Sequence, residues 1–346
     1  MKILNLDAVN LVPAFRSLGH VVISAGYQKS CDICIDRPYN APAVYDHVCS
    51  VGFVPDFVFL CDSGNMPYFH HIEELPCVSA FYSIDTWCNH WHLPFANAFD
   101  IVFSAQKGYA EALAESGVPV LWLPLFAPSS VIPRVEVPRD VPVSFVGTIG
   151  HRNNPDRQSF LKQFKELHPL VTYSGPYAEL YARSRVVLNQ SACSEVNFRC
   201  FEAMACGAAL LTERGCMGME DLFVEGETIL PGYIRNDRRG AAEAAARALA
   251  DPAVLARVAR AGQALVLERH LDRHRAAAIV AAATSCLEEN RPAKRLAELP
   301  RRKCLISTAY VMVGTDIVDS ALEKHARYFL DLAAQYYAAR DVAPAA

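Results

Sequence analysis

No stretch of some 18 apolar residues free of charge and proline occurs in this 346-residue chain. No segment therefore reads as a membrane-spanning helix, and peripheral membrane contact stays open. An excess of one charge sign is missing too. The formal net charge is −4, which argues against nucleic acid as a partner. The start, Met1 to Asp7, reads as a first strand, without the length or cleavage site of a signal peptide. Paired metal-ligand spacing is scarce: Cys31 and Cys34 form one C-x-x-C with no second pair, and Cys49 and Cys61 stand at no familiar interval. Cys193, Cys200, Cys206 and Cys216 lack ligand spacing as well. The twelve cysteines are scattered through strand-like and helix-like segments, the pattern of reduced, buried thiols. These absences give the expectations of a cytoplasmic protein with no bound cofactor and no metal. Nothing in the sequence fixes an oligomeric state.

What is present is a long alternation of strand and helix signals. Strand-like runs recur at Ile3–Leu6, Val21–Ser24, Phe57–Cys61, Cys77–Tyr82, Ile101–Ser104 and Val120–Leu123. Alternation of that kind predicts a parallel sheet covered on both faces. Prolines at 124, 128, 133, 138 and 142 then exclude a regular helix or central strand and mark an interdomain linker. A second series follows at Val143–Gly147, Leu170–Tyr173, Val186–Asn189, Ala208–Thr212 and Thr228–Leu230. Residues 237 to 290, rich in alanine and arginine, predict two or three helices, and 314 to 340 one long helix. The fold class expected is α/β with two Rossmann-like domains. The divisions are 1–125, a linker 126–142, a second domain 143–300 and a final helical segment 301–346.

The densest signal lies at 194–212. Ser194 fits an N-cap, Gly207 a left-handed C-terminal position, and Ala208–Thr212 a short buried strand. Glu195, Arg199 and Glu202 stand at i, i+4 and i+7 and share one helix face; Phe198, Phe201 and Ala205 form an apolar stripe. Free amides near Ser194 to Asn197 would attract a diphosphate, and a carboxylate two turns on could accept from ribose hydroxyls. A solvent-facing set of i, i+4 ion pairs accounts for the same spacing.

The run NFRCFEAMACGAALLTE, preceded by YARSRVVLNQS, closely resembles the donor-binding segment of GT-B glycosyltransferases, in particular the spore-maturation (CgeB-like) group related to retaining glycogen-synthase-like enzymes. The resemblance is strong over about residues 143–232. It implies two domains facing a cleft, with a last helix crossing back to the first domain. It also implies that Glu202 holds the nucleotide ribose and that no metal is needed for catalysis. The wider superfamily carries a second glutamate eight residues earlier, where this chain has Ser194.

Ligands of open α/β sheets bind beyond the carboxyl ends of the strands. After Val143–Gly147 comes a loop with Gly147, Gly150, Arg152 and Arg157; glycines let the backbone approach phosphate and an arginine offsets the leaving charge. The resemblance puts this loop by the donor diphosphate, giving Gly147, Arg152 and Arg157. A plain polar loop with Arg157 on the outer helix face competes with that reading. Tyr173 and Tyr177 stand where the resemblance implies the base, and either could instead pack the core. Asn189, Ser194, Asn197 and Arg199 complete the expected nucleotide-sugar set.

In the first half, Asp85, Trp87, His90, Trp91 and His92 gather beyond one strand end. A tryptophan face could stack on a sugar ring, and Asp85 could bind sugar hydroxyls or act as base on the acceptor. The competing account makes the tryptophans core anchors. Asp62 to Asn65, and Asp7 with Asn10, rank lower. The expected activity is transfer of a sugar from a nucleoside-diphosphate sugar to a hydroxyl of a glycan, a protein or a small molecule, with retention. The alternatives are a non-catalytic nucleotide-sugar-binding partner protein and a nucleotide-sugar epimerase.

Overall fold

The computed structural model describes residues 1–135, 137–317 and 322–338. Two compact units emerge, Met1–Leu123 with Arg275–Ala346, and Pro124–His274. The sequence-drawn boundaries fell at 125, 142 and 300; here residues 275–300 group with the first unit.

Among its described residues the first unit holds nine strands: β1 (Lys2–Asp7), β2 (Val21–Gly26), β3 (Ile33–Cys34), β4 (Tyr39–Asn40), β5 (Phe57–Cys61), β6 (Phe69–His70), β7 (Val78–Ser83), β8 (Ile101–Ser104) and β9 (Val120–Trp122). Seven of them form one sheet in the order β3-β2-β1-β5-β7-β8-β9, with every pairing parallel. β4 and β6 form a separate parallel pair. β5 and β7 are buried at every position, the signature of a sheet covered on both faces. Phe81, Phe95 and Phe99 pack in one core with Ile306, Tyr310, Phe329, Leu332 and Tyr336 from the end of the chain. That end is two helices, Leu299–Asp316 and Glu323–Ala338, where the sequence pattern predicted one long helix over 314–340. The extended backbone of Ile317 ends the first of them. Positions 318–321, 339 and 340 of the predicted helix lie outside the described residues. Gly314 lets the two helices approach closely, since a Cβ there would stand 2.8 Å from Leu330 Cγ.

The second unit carries β10 (Val141–Val146), β11 (Val171–Tyr173), β12 (Ser184–Leu188) and β13 (Ala209–Leu211), in the parallel order β11-β10-β12-β13. Pro142 lies inside β10, a central strand, against the expectation from its type. The exception has a local cause: β11 joins only from Ser144 onward, so at 142 the strand has a neighbour on one side. Thr228–Leu230 is not a strand; Leu230 N donates to Leu210 O at 3.0 Å and the rest is a turn between Gly226 and Gly232. Two helices follow, Arg238–Ala250 and Pro252–Arg269, and a third, Asp272–Glu288, carries the chain from this unit into the first. Asp237 and Asp251 cap the first two, accepting from Gly240 N at 2.9 Å and Val254 N at 3.0 Å.

Candidate functional site

Strand order locates a site in each unit before any side chain is considered. In the second sheet the chain turns back between β10 and β12, and crevices at such reversals receive the ligands of open α/β sheets. Gly147 follows β10 and Asn189 follows β12. Arg199 spans them: its Nε donates to Val146 O at 3.0 Å and its Nη1 to Asn189 Oδ1 at 2.6 Å. The guanidinium lies 4.2 Å from the centre of the Phe145 ring, a cation–π contact. Gly147 has φ 150°, and a Cβ there would stand 2.5 Å from Arg199 Nη2. Only glycine leaves the guanidinium its place. Gly147→Ala is expected to cost about 1–3 kcal/mol of stability through that clash and the backbone strain; an unchanged urea midpoint would contradict the close approach.

The helix of the dense sequence signal is Phe198–Ala205, three residues shorter at its start than Ser194 as N-cap would make it. Asn197 occupies the N-cap, yet its amide donates sideways to Asn189 Oδ1 at 3.1 Å. Ser194 turns the preceding loop at φ 57° and accepts from Arg235 Nη1 at 2.8 Å. Glu195 therefore precedes the helix and shares no face with Arg199 and Glu202. Its carboxylate closes the loop instead, accepting from Ala192 N at 2.9 Å and Cys193 N at 2.5 Å. The solvent ion-pair account of the spacing fails with it, because Arg199 points under Gly147.

Glu202 sits one turn after Arg199, half-buried, beside the Tyr177 hydroxyl. Burial pushes its carboxyl up to about 7, against the pull of Tyr177 and of the Arg199 charge. Burial, then Glu202, push the Tyr177 hydroxyl up in turn. A carboxylate poised at neutral pH, next to a phenol, at a topological reversal, suits a cluster of ligand hydroxyls.

The two arginines of the 147–157 loop differ. Arg157 is committed to the scaffold: its Nε donates to Gln190 Oε1 at 3.0 Å, Nη1 to Thr148 O at 2.9 Å and Nη2 to Gln190 O at 3.0 Å. Burial, then the Arg199 charge, lower it to about 10. It neither lies on an outer helix face nor offers a free fork. Arg152 is exposed and, among the described residues, has no hydrogen-bond or ion-pair partner. Asn189 is fully buried, with Nδ2 on Thr212 Oγ1 at 3.0 Å and Oδ1 taken by Arg199 and Asn197. Its side chain braces the site and has no atom left for a ligand. Tyr173 is exposed and its ring covers Gly175.

Several residues that matter here were not in the expected set. Gln190 joins Arg157 to Asn154, whose Nδ2 donates to it at 2.9 Å. Glu213 is buried after β13, bonded by the Ser191 amide at 3.2 Å and by the Ser191 hydroxyl, with Arg235 Nη1 4.0 Å away. Gln190 ends a strand-like run that leads into the motif helix, a position that places it with the site in the sequence; Glu213 stands in the loop after Ala208–Thr212, for which a turn-only role competes. No local signal points to Arg235.

In the first unit the reversal lies between β1 and β5. Asp7 ends β1 and Asp62 follows β5. Asp7 takes φ 68° and is buried; Ser63 Oγ donates to its Oδ2 at 2.8 Å, and its Oδ1 has no partner. Burial pushes its carboxyl up to about 7. Asp62 accepts from Gly64 N, Ile84 N and Asp85 N at 2.8, 3.1 and 2.8 Å, fixing the start of the 85–92 loop. Asp85 is half-buried and accepts from Trp87 Nε1 at 3.3 Å. His90 is exposed. His92 is not placed to touch an acceptor: it is fully buried, edge-on to Phe81 and Trp91, with Nδ1 2.8 Å from Ser83 Oγ. Burial lowers it to about 3, so the ring is neutral. Trp91 is a core residue, whereas Trp87 keeps an accessible face.

Residues 140–281 match a family model described as glycosyl transferase-like. No curated protein matches the chain. Among solved structures, Anabaena Alr3699/HepE in complex with UDP and glucose aligns with a TM-score of 0.60 at 12% identity, covering 82% of this chain and 100% of that one. A sucrose-phosphate synthase from Thermosynechococcus elongatus gives 0.59 at 13% identity, covering 84% and 100%. A glycosyltransferase from Rickettsia africae gives 0.60 at 10% identity, covering 83% and 98%. The fold is that of the GT-B glycosyltransferases, and no helix among the described residues is long and apolar enough to cross a membrane.

Proposed function

We propose that the chain is a glycosyltransferase that moves a sugar from a nucleoside-diphosphate sugar to a hydroxyl of a glycan, a protein or a small molecule, with retention, within the CgeB-like group. The observation that carries this reading is the Gly147–Arg199–Asn189 bridge across the sheet reversal, with Glu202 beside it, inside the matched segment. Similarity to a UDP-and-glucose complex supports the choice of donor. Glu202 would accept from the ribose hydroxyls, with Tyr173 near the base. Arg152 would meet the diphosphate, where charge grows as the bond from the anomeric carbon to the phosphate oxygen breaks. Arg157 supports that loop from below. The acceptor oxygen forms the new bond to the anomeric carbon and gives up its proton; Asp85 is the acceptor-side carboxylate we assign to hold it, with Trp87 and His90 around the sugar.

Ser194, held by Arg235 where the wider family has a glutamate, favours one second reading, a nucleotide-sugar-binding protein without turnover. Calorimetry with UDP-, GDP-, ADP- and dTDP-sugars, followed by measurement of nucleotide release with mixed hydroxyl acceptors, separates the two. Binding with acceptor-dependent release is the expected result. Binding without release would favour the second reading, and no binding of any nucleotide sugar would overturn both.

A further inference from the structure

The turn Ile72–Glu74, just after β6, uses no residue of the donor site and contains a cluster that the proposed transfer does not need. His71 enters it at φ 62°, an uncommon conformation for a residue with a side chain. His71 Nδ1 stands 2.9 Å from Glu74 Oε1 and 3.9 Å from Glu73 Oε1. Potential ligand atoms of His71, Glu73 and Glu74 all lie within 4.8 Å of one another, a grouping found once among the described residues. Those spacings bracket the edge of about 3.3 Å expected for a tetrahedron with bonds near 2 Å.

A second observation separates the cluster from ordinary surface acidity. Glu73 is 0% exposed; among the described residues no cation bonds its carboxylate oxygens, and only the Tyr336 hydroxyl and its own amide lie near enough to act on them. Tyr310, also 0% exposed, has its hydroxyl beside that of Tyr336. A buried carboxylate met by little more than a phenol is costly unless a proton or a cation answers it. The Tyr336 hydroxyl, which accepts from His71 N at 3.1 Å, lies alongside. The His71 and Glu74 side chains are 19% and 30% exposed, so the cluster opens to solvent on one side.

We propose that His71, Glu73 and Glu74 bind one divalent first-row transition ion, zinc being the best fit to one imidazole and two carboxylates, with water completing the shell. Lys303 Nζ, 2.5 Å from Glu74 Oε1, occupies the neighbourhood of that ion and must swing out as it binds. The bound ion would lock the 71–74 turn and answer the buried Glu73 carboxylate, and so act on stability.

Cobalt(II) titration of the full chain tests this, because its visible bands report nitrogen and oxygen ligands while thiolate ligands add an ultraviolet charge-transfer band. One site free of thiolate absorption, displaced by one equivalent of zinc, is expected. His71→Gln and Glu73→Gln should each weaken it by at least tenfold. Lys303→Met should tighten it severalfold by removing the competing ammonium, and zinc should raise the wild-type melting temperature. His71 is partly exposed, so His71→Gln remains informative if Glu73→Gln does not fold. Absence of a cobalt site, cobalt bands dominated by thiolate, or equal affinity in a folded His71→Gln protein would each overturn the proposal.

Discussion

Replacing Glu202 by alanine is expected to weaken nucleoside-diphosphate binding roughly 10- to 100-fold while the protein keeps its fold. Hydrogen bonds from hydroxyls to an ionised carboxylate contribute about 1.5–3 kcal/mol, and each 1.4 kcal/mol is tenfold in affinity. The pH dependence has two opposite parts. Folding raises this carboxyl from 4.5 to about 7, so the folded chain binds the proton more tightly than the unfolded one. Stability of the nucleotide-free protein therefore falls as pH rises from about 4.5 to 7. Above that window the ionised, half-buried group costs at most on the order of 3 kcal/mol. Glu202→Gln should raise the melting temperature at pH 8 and leave it near wild type at pH 4. Nucleotide affinity of the wild type should move the other way, weakening as pH falls through 7 and the acceptor oxygens take a proton. Calorimetry with UDP at pH 6 and 8 on wild type and both variants checks all of this, and unchanged affinity in Glu202→Ala would remove Glu202 from the site.

Arg295→Met should have the largest effect on stability, a loss of about 3–5 kcal/mol. Arg295 is fully buried, ion-paired to Asp100 and bonded to Ser79 Oγ and to the carbonyls of Glu73, Leu75 and Cys77. Asp100 in turn accepts from Ser79 N at 2.9 Å. Methionine fills much of the volume, yet it abandons a buried carboxylate and three carbonyls together. Urea unfolding monitored by circular dichroism measures the loss, and a change below 1 kcal/mol would mean that water or another cation replaces the guanidinium. The double variant Arg295→Met/Asp100→Asn should recover part of the loss, because the stranded charge is then gone.

Strands were the most legible part of the sequence. Continuous apolar runs such as Phe57–Cys61 and Ile101–Ser104 coincide with β5 and β8 residue for residue, because strands buried on both faces admit little else. Helix starts were harder. The 194–199 stretch carries good capping chemistry at Ser194, but the loop is held by long-range partners: Arg235 on Ser194, the Glu195 carboxylate on two amides, and Asn189 on Asn197. Periodicity cannot register such ties. The same limit explains His92 and Asn189, polar residues next to strand ends that turn inward and complete hydrogen bonds in the core. Glu202 and Arg152, by contrast, stand where the motif helix and the loop after β10 put them, and their roles are the proposal above. The pinning of Arg199 beneath Gly147 required coordinates, since the glycine and the arginine stand 52 positions apart.

The first unit takes its strands from the start of the chain and part of its cover from the end, residues 275 onward. During synthesis, β1 to β9 are made well before Arg295, Tyr310, Phe329 and Tyr336 exist to shield Phe81, Phe95 and Phe99. The second unit is continuous in sequence, 124–274, and can close as soon as it leaves the ribosome. The nascent chain thus passes through an interval with a finished second unit and an open apolar sheet face. That face is an opportunity for chaperones and a hazard for aggregation. A chain that stopped between 275 and 305 would leave the interval permanent, so residues 306–336 guard the first unit's sheet against aggregation.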